Sequence, residues 1–285
     1  MIGVTVRFLL TAPFVAFDLE TTGIDVEVDR IVTATIAVIT PGDSWKVEHE
    51  TWLADPGIAI PAEATQVHGI TTEHAQCNGR DLWEVCDEIA GLLATHIAAE
   101  RPIVVMNGAY DFTILDRNLR HLDMSSLTER VSGIRPVVDV YVLDKAIDPY
   151  RPGGRRLTDL CEHYDVRIDG AHDATADALA AARIAYRMAL MGQWPLPKLE
   201  GFYWCGGAHG AHERGRRNPK EPAQRMQAIG AADPGRLHGW QRKWRAEQQK
   251  SLTSYLRKAG KLRKDAPDCN GEWPIQRAMP REDTP

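Results

Sequence analysis

The sequence predicts an α/β fold: a mixed five-stranded sheet flanked by helices, with a helical or irregular C-terminal extension. Three observations predict it. Three β-rich runs follow one another closely between residues 14 and 53. From Leu82 onward, short apolar runs alternate with segments whose apolar residues recur at helical spacing. After Gln193 both periods vanish, and one appears again only near residue 236. Closely spaced strands followed by strand–helix alternation give a mixed sheet with helices on its faces.

Taken in order, "MIGVTVRFLLTAP" reads as a first strand or a short lead-in to one; it has neither the basic start nor the cleavage site of a secretory signal. "FVAFDLE" (14–20) and "IVTATIAVI" (31–39) are strands, the second dominated by β-branched residues. "KVEHETWL" (46–53) alternates more weakly and is a third. Pro56, Gly57 and Pro61 mark a loop running into "QVHGIT" (66–71). Leu82, Val85, Cys86, Ile89, Leu92, Leu93 and Ile97 make 81–99 an amphipathic helix. "IVVM" (103–106) is a buried strand, followed by a helix with the stripe Phe112, Leu115, Leu119 and Leu122. "PVVDVY" (136–141) is the fifth strand, "RPGGRR" (151–156) a basic loop, and 157–164 and 175–190 are helices. The expected organisation is a domain over 1–192, a linker or irregular segment over 193–235, and a basic helical extension over 236–285.

Composition narrows the class. With 285 residues, 44% hydrophobic and 26% charged, the chain is of the soluble globular type, and no apolar run nears the ~20 residues of a membrane span. Its five scattered cysteines suit a reducing cytoplasm. The net charge of −5 is uneven. Residues 1–197 carry 16 Lys/Arg against 29 Asp/Glu, a balance of −13, and the remainder carries 18 against 10, a balance of +8. Such a basic tail suits a polyanion or acidic partner as readily as it suits plain solvation.

The chemistry sits at strand ends. In "VAFDLETTG" (15–23), strand alternation sends Asp18 and Glu20 to one face, where two like charges resist burial. Asp111 stands in "NGAYDFTIL" (107–115) just past a strand, and His172 and Asp177 stand in "HDATADA" (172–178) at the start of a helix. Strand ends and the helix starts that follow them converge on one crevice, so Asp18, Glu20, Asp111 and Asp177 are expected to meet. Four carboxylates in one cleft call for hard divalent cations. Two such ions about 4 Å apart are a known device for in-line attack on a phosphodiester, with a histidine suited to taking the proton from water.

"FDLETTG", "NGAYDFTIL" and "HDATADA", with "VHGIT" (67–71) between the first two, resemble the DEDDh exonucleases of the ribonuclease-H-like fold over about residues 13–190. The resemblance implies removal of nucleotides from the 3′ end of DNA, single-stranded or frayed, in proofreading, repair or end processing. The same chemistry on RNA, or a non-catalytic polymerase-associated subunit, are the competing readings. It further implies two Mg2+ per site, with Mn2+ as a substitute. Asp18 would bridge the ions, Glu20 and Asp177 complete the site of the attacking water, Asp111 hold the second ion, and His172 act as general base. The backbone around Leu19 and Thr22, with His68 and Phe112, would contact the terminal nucleotide; Phe112 sits equally well in the core. The implied partners are DNA 3′ ends and a DNA polymerase or replication complex, with no membrane.

In the tail, Trp240, Trp244, Leu252, Tyr255 and Leu256 form a stripe expected to pack on the first domain. Arg242, Lys243, Arg245, Lys250, Arg257, Lys258, Lys261, Arg263 and Lys264 are expected to face water. Cys205, His209 and His212 have ligand-like intervals, but zinc needs a fourth donor as distant as Cys269, so an ordinary loop is expected.

Overall fold

The structure, a computed structural model, describes residues 8–168, 173–205, 207, 218–263 and 266–276. Strand β1 (Phe14–Thr21) lies at the heart of the sheet, paired antiparallel with β2 (Ile31–Thr40) and parallel with β5 (Ile103–Val105). β2 pairs antiparallel with β3 (Lys46–Asp55), and β5 pairs parallel with β6 (Val137–Asp139). These are the five expected strands. A sixth, β4 (Arg80–Asp81), joins the outer end of β3 through two residue pairs and gives the order β4-β3-β2-β1-β5-β6. Two polar residues carry no strand signal, which is why β4 escapes a sequence reading.

The strand alternation splits the core in two. Phe14 and Ala16 of β1 and Ala37 and Ile39 of β2 face a cluster built with α1 (Phe8–Thr11), α7 (Val140–Ile147), α8 (Leu157–Tyr164) and α9 (Ala174–Met191). Val15, Phe17, Leu19 and Ile36 face the opposite cluster, built with α4 (Leu82–Ala98), α5 (Ala109–His121) and α6 (Leu127–Arg130). Each fully buried Phe or Ile side chain contributes about 1.5–3 kcal/mol. The face of α9 against the sheet is mostly alanine (Ala178, Ala181, Ala182, Ala185, Ala189), so this helix lies close over β1 and β2. Residues 1–7 of the opening segment lie outside the described residues, and Phe8–Thr11 form a helical turn, α1, that leads into β1.

Local capping explains the other departures. The loop expected around 56–71 holds a short helix, α2 (Ala62–His68), and a second, α3 (Thr72–Asn78), follows it, capped by Thr71 accepting from His74 N. "PVVDVY" does not stay extended to 141. The Asp139 carboxylate accepts from Tyr141 N and Val142 N, and this cap starts α7 at Val140 despite its β-branched residues.

The described part of the segment 193–235 is largely helical. It forms α10 (Leu196–Trp204) and α11 (Lys220–Gly230), whose Leu199, Tyr203, Ala223, Met226 and Ile229 join the core on the α9 side. The last helix, α12 (Pro234–Lys258), packs on β6 and α7. Its buried stripe is Leu237, Gln241, Arg245, Gln249 and Thr253, a mostly polar face. Trp240 and Trp244 are half-buried at its side, whereas Leu252 and Tyr255 are exposed, so the expected stripe is off by one position. Arg245 is buried and not solvated. The reason is the surface α12 covers: Gln241 accepts from Asp139 N at 2.7 Å and donates to Val137 O at 2.8 Å, closing the free backbone edge of β6. Among the described residues no helix is long and apolar enough to cross a membrane.

Candidate active site

Of the four acids expected to meet, three form one group: Asp18, Glu20 and Asp177. Asp18 and Glu20 continue the Phe14–Ala16 face of β1, the face covered by α9, and Asp177 stands in the first turn of α9. One carboxylate oxygen from each of Asp18, Glu20 and Asp177 lies within 4.8 Å of the others. The α9 start is fixed by Asp173, whose side chain caps Ala176 N, and by a hydroxyl contact of 3.0 Å between Thr175 and Thr35 of β2. Asp111, in the first turn of α5, is buried and close enough for its charge to act on Asp18.

Electrostatics show what this arrangement lacks. Burial, then the charges of Asp111, Glu20, Asp177 and Asp173, push the Asp18 carboxyl well above its ordinary range. Burial, then Asp177 and Asp173, push Glu20 up to about 8. Burial is also the largest influence on Asp111, opposed by backbone N–H groups and reinforced by Asp139 and Glu20. Among the described residues, the neighbouring charges that raise Asp18 and Glu20 are those of other acids. An all-oxygen donor set with no compensating cation is the coordination chemistry of Mg2+, Mn2+ or Ca2+.

The remaining expected residues fare differently. His172 lies outside the described residues, next to Asp173. His68, the last residue of α2, lines a groove of about 260 Å3 together with Glu20, Thr35, Trp52 and Asp173. Its Nδ1 accepts from Ile70 N at 3.1 Å, which leaves the proton on the buried Nε2. Burial holds this imidazole below its usual pKa. Thr22 is engaged internally: its hydroxyl donates to Asp29 Oδ1 at 2.7 Å and accepts from Arg30 N, while its N–H bonds Arg30 O. Its N–H and hydroxyl are thus already paired within the protein. The Leu19 side chain is core. Phe112 is fully buried, tilted against Phe17 with ring centroids 5.6 Å apart.

Two residues of the site go unnoticed in the sequence reading. Tyr110, beside Asp111, hydrogen-bonds through its hydroxyl to Thr21 Oγ1 and Gly23 O, pinning the turn that ends β1. Asp173 adds a fifth acid to the nest. Both lie inside quoted motifs, where an aromatic or acid next to a ligand is the available signal. A larger cavity, about 820 Å3, opens elsewhere, at the starts of β5 and β6, lined by Ile97, Glu100, Arg130, Arg135, His238 and Arg242. It holds one carboxylate, so the cation chemistry belongs to the smaller groove. Of the zinc candidates, Cys205 is exposed and Cys269 half-buried, and His209 and His212 lie outside the described residues.

Residues 15–185 match the RNase_T family model, described as exonuclease. Curated proteins similar to the chain include the PolC-type DNA polymerase III of Oceanobacillus iheyensis, 28% identical over 183 residues, which is 64% of this chain and 12% of that protein. The PolC-type polymerase of Halalkalibacterium halodurans is 23% identical over 180 residues, 63% and 12% of the two chains. The chain thus spans about 12% of the length of these relatives. Among solved structures, the zinc-bound E. coli ExoI–ssDNA complex superposes with a TM-score of 0.55 at 18% identity, covering 68% of this chain and 44% of that one. E. coli Exonuclease I in complex with a dA16 oligonucleotide gives 0.53 at 18%, covering 63% and 41%. These structures share the fold.

Proposed function

Because the chain belongs to the RNase_T exonuclease family, we propose that it removes nucleotides from the 3′ ends of single-stranded or frayed DNA. The observation that carries this reading is the carboxylate nest: Asp18, Glu20 and Asp177 oxygens within 4.8 Å of each other, with Asp111 electrostatically joined to them. In this reading Asp18, Glu20, Asp111 and Asp177 would hold the divalent cations, with Mg2+ as the working ion and Mn2+ a substitute. Bound cations supply charge to the scissile phosphate and acidity to the attacking water. The residues of the chain do the rest. His172 takes the proton from that water. His68, in the groove beside Glu20, meets the terminal nucleotide. Thr22 and Tyr110 shape the β1 turn without touching substrate. Bases leave the stack to reach such a nest, which favours single-stranded ends. The capture of ssDNA by a similarly folded exonuclease supports the same substrate, and similarity to PolC-type polymerases supports a replication complex as partner.

The test uses 5′-labelled DNA and RNA strands with free or blocked 3′ ends, incubated with protein and Mg2+. Stepwise shortening of free-ended DNA, abolished by a blocked 3′ end, is expected. Preferential loss of RNA would move the substrate to RNA, and binding without shortening would leave a non-catalytic subunit.

A further inference from the structure

The densest buried polar centre outside the carboxylate nest is Asp139, at the end of β6. Its carboxylate accepts from five N–H groups. Besides its cap on α7, it takes Asn107 N at 3.0 Å and Gly108 N at 3.1 Å, and the Trp273 indole Nε1–H at 3.2 Å. Asn107 and Gly108 are the turn from β5 into α5. Asn107 takes a left-handed φ of +60°, and a Cβ on Gly108 would sit 2.4 Å from Val105 Cγ2, so this turn has a single packed form. Asp111 follows three residues later.

The same C-terminal segment grips α5 from its other side. Gln276 N donates to Thr113 Oγ1 at 2.9 Å, and Gln276 Nε2 donates to Ala109 O at 3.3 Å. Arg117 donates to Gln276 O at 2.9 Å. Asp111 therefore lies between two residues, Ala109 and Thr113, held by one amide side chain and its backbone. The turn before it hangs from an aspartate that an indole completes. Trp273 is itself buried, its ring 4.9 Å from that of His238 on α12.

We infer that residues 273–276 are a strap that positions Asp111, with Trp273 and Gln276 as positioning residues supplied from outside the family-matched range of 15–185. A carboxylate ligand works within about 0.5 Å of its productive place. Partners behind a ligand typically govern metal affinity by ~10–100-fold. The inference rests on Asp111 being a cation ligand, as proposed above.

The test uses the full chain with Trp273→Phe, which keeps an aromatic side chain but deletes the pyrrole half with its N–H, and Gln276→Ala, which leaves the buried indole alone. Each is titrated with Mn2+ by calorimetry, melted, and assayed for kcat and KM on a 5′-labelled strand across Mn2+ concentrations. The expected result is one Mn2+ site weakened ~10-fold with the other unchanged. Activity should fall at low Mn2+ and recover at high Mn2+, with KM for the strand within twofold of the parent. Parent-like Mn2+ titration by both variants would overturn the strap, even if both melt lower. A parent chain that binds no Mn2+ would overturn the site reading, and the strap with it.

Discussion

At the scale of single residues, the site is an electrostatic debt held in place by packing. Glu20 has a folded pKa of about 8 against an ordinary value of 4.5. Between those values the folded chain keeps a proton that the unfolded chain has released, so the metal-free fold loses stability as pH rises through that window. Melting in chelator should therefore fall from about pH 5 to pH 8, and the stabilisation added by Mg2+ should grow over the same range, because the ion competes with those protons. A flat or rising chelator profile would count against it. Asp18→Asn should separate function from stability. Cleavage is expected to drop by ~10²-fold or more. Melting in chelator should rise by ~2–4 °C, the equivalent of about 1 kcal/mol of relieved repulsion in a domain of this size. Labelled-strand shortening and thermal melts read the two effects. Asp18 and Glu20 could be placed on one face from the sequence because strand residues alternate with a period of two. The partners of Thr22 and Phe112 could not be foreseen that way: Asp29 claims the Thr22 hydroxyl, and Phe112, itself on α5, packs against Phe17.

Elements are placed by close approach more than by bulk. At Gly192 the end of α9 meets Gly230 at the end of α11, and a Cβ there would come within 2.5 Å of the Gly230 Cα. Gly192→Ala should cost about 1–3 kcal/mol through forced separation of the two helices, measured by urea unfolding. A neutral result would show that the crossing yields. The β6 edge offers a second case. Gln241→Leu removes the partners of Val137 O and Asp139 N, and should cost about 2–4 kcal/mol in the same assay. Helices α4, α5, α8 and α9 were visible as apolar stripes. α12 was visible as a helix but not in its orientation, because its buried face reads Gln241, Arg245, Gln249 and Thr253. Hydrophobic periodicity has no signal for a helix whose task is to hydrogen-bond a strand edge.

For the whole molecule, the core does not stop at residue 192. Leu199, Tyr203, Met226, Ile229 and Leu237 share one apolar cluster with Phe14, Ile39 and Met188. Calorimetry should accordingly show one unfolding transition for the full chain, and a fragment ending at residue 192 should be aggregation-prone, having bared that cluster. Two separable transitions would restore an independent C-terminal unit. The two rims of the sheet carry a final consequence. On one side β3 begins with Lys46, Glu48, His49 and Glu50, all exposed, and is flanked by only a two-residue strand; on the other, Gln241 and α12 occupy the hydrogen-bonding groups of β6. Charge guards the first rim and a borrowed amide plugs the second, so neither offers a template for another chain to zip onto. Copies of this protein that meet at high concentration are therefore expected to do so through side chains rather than through these two rims of the described sheet.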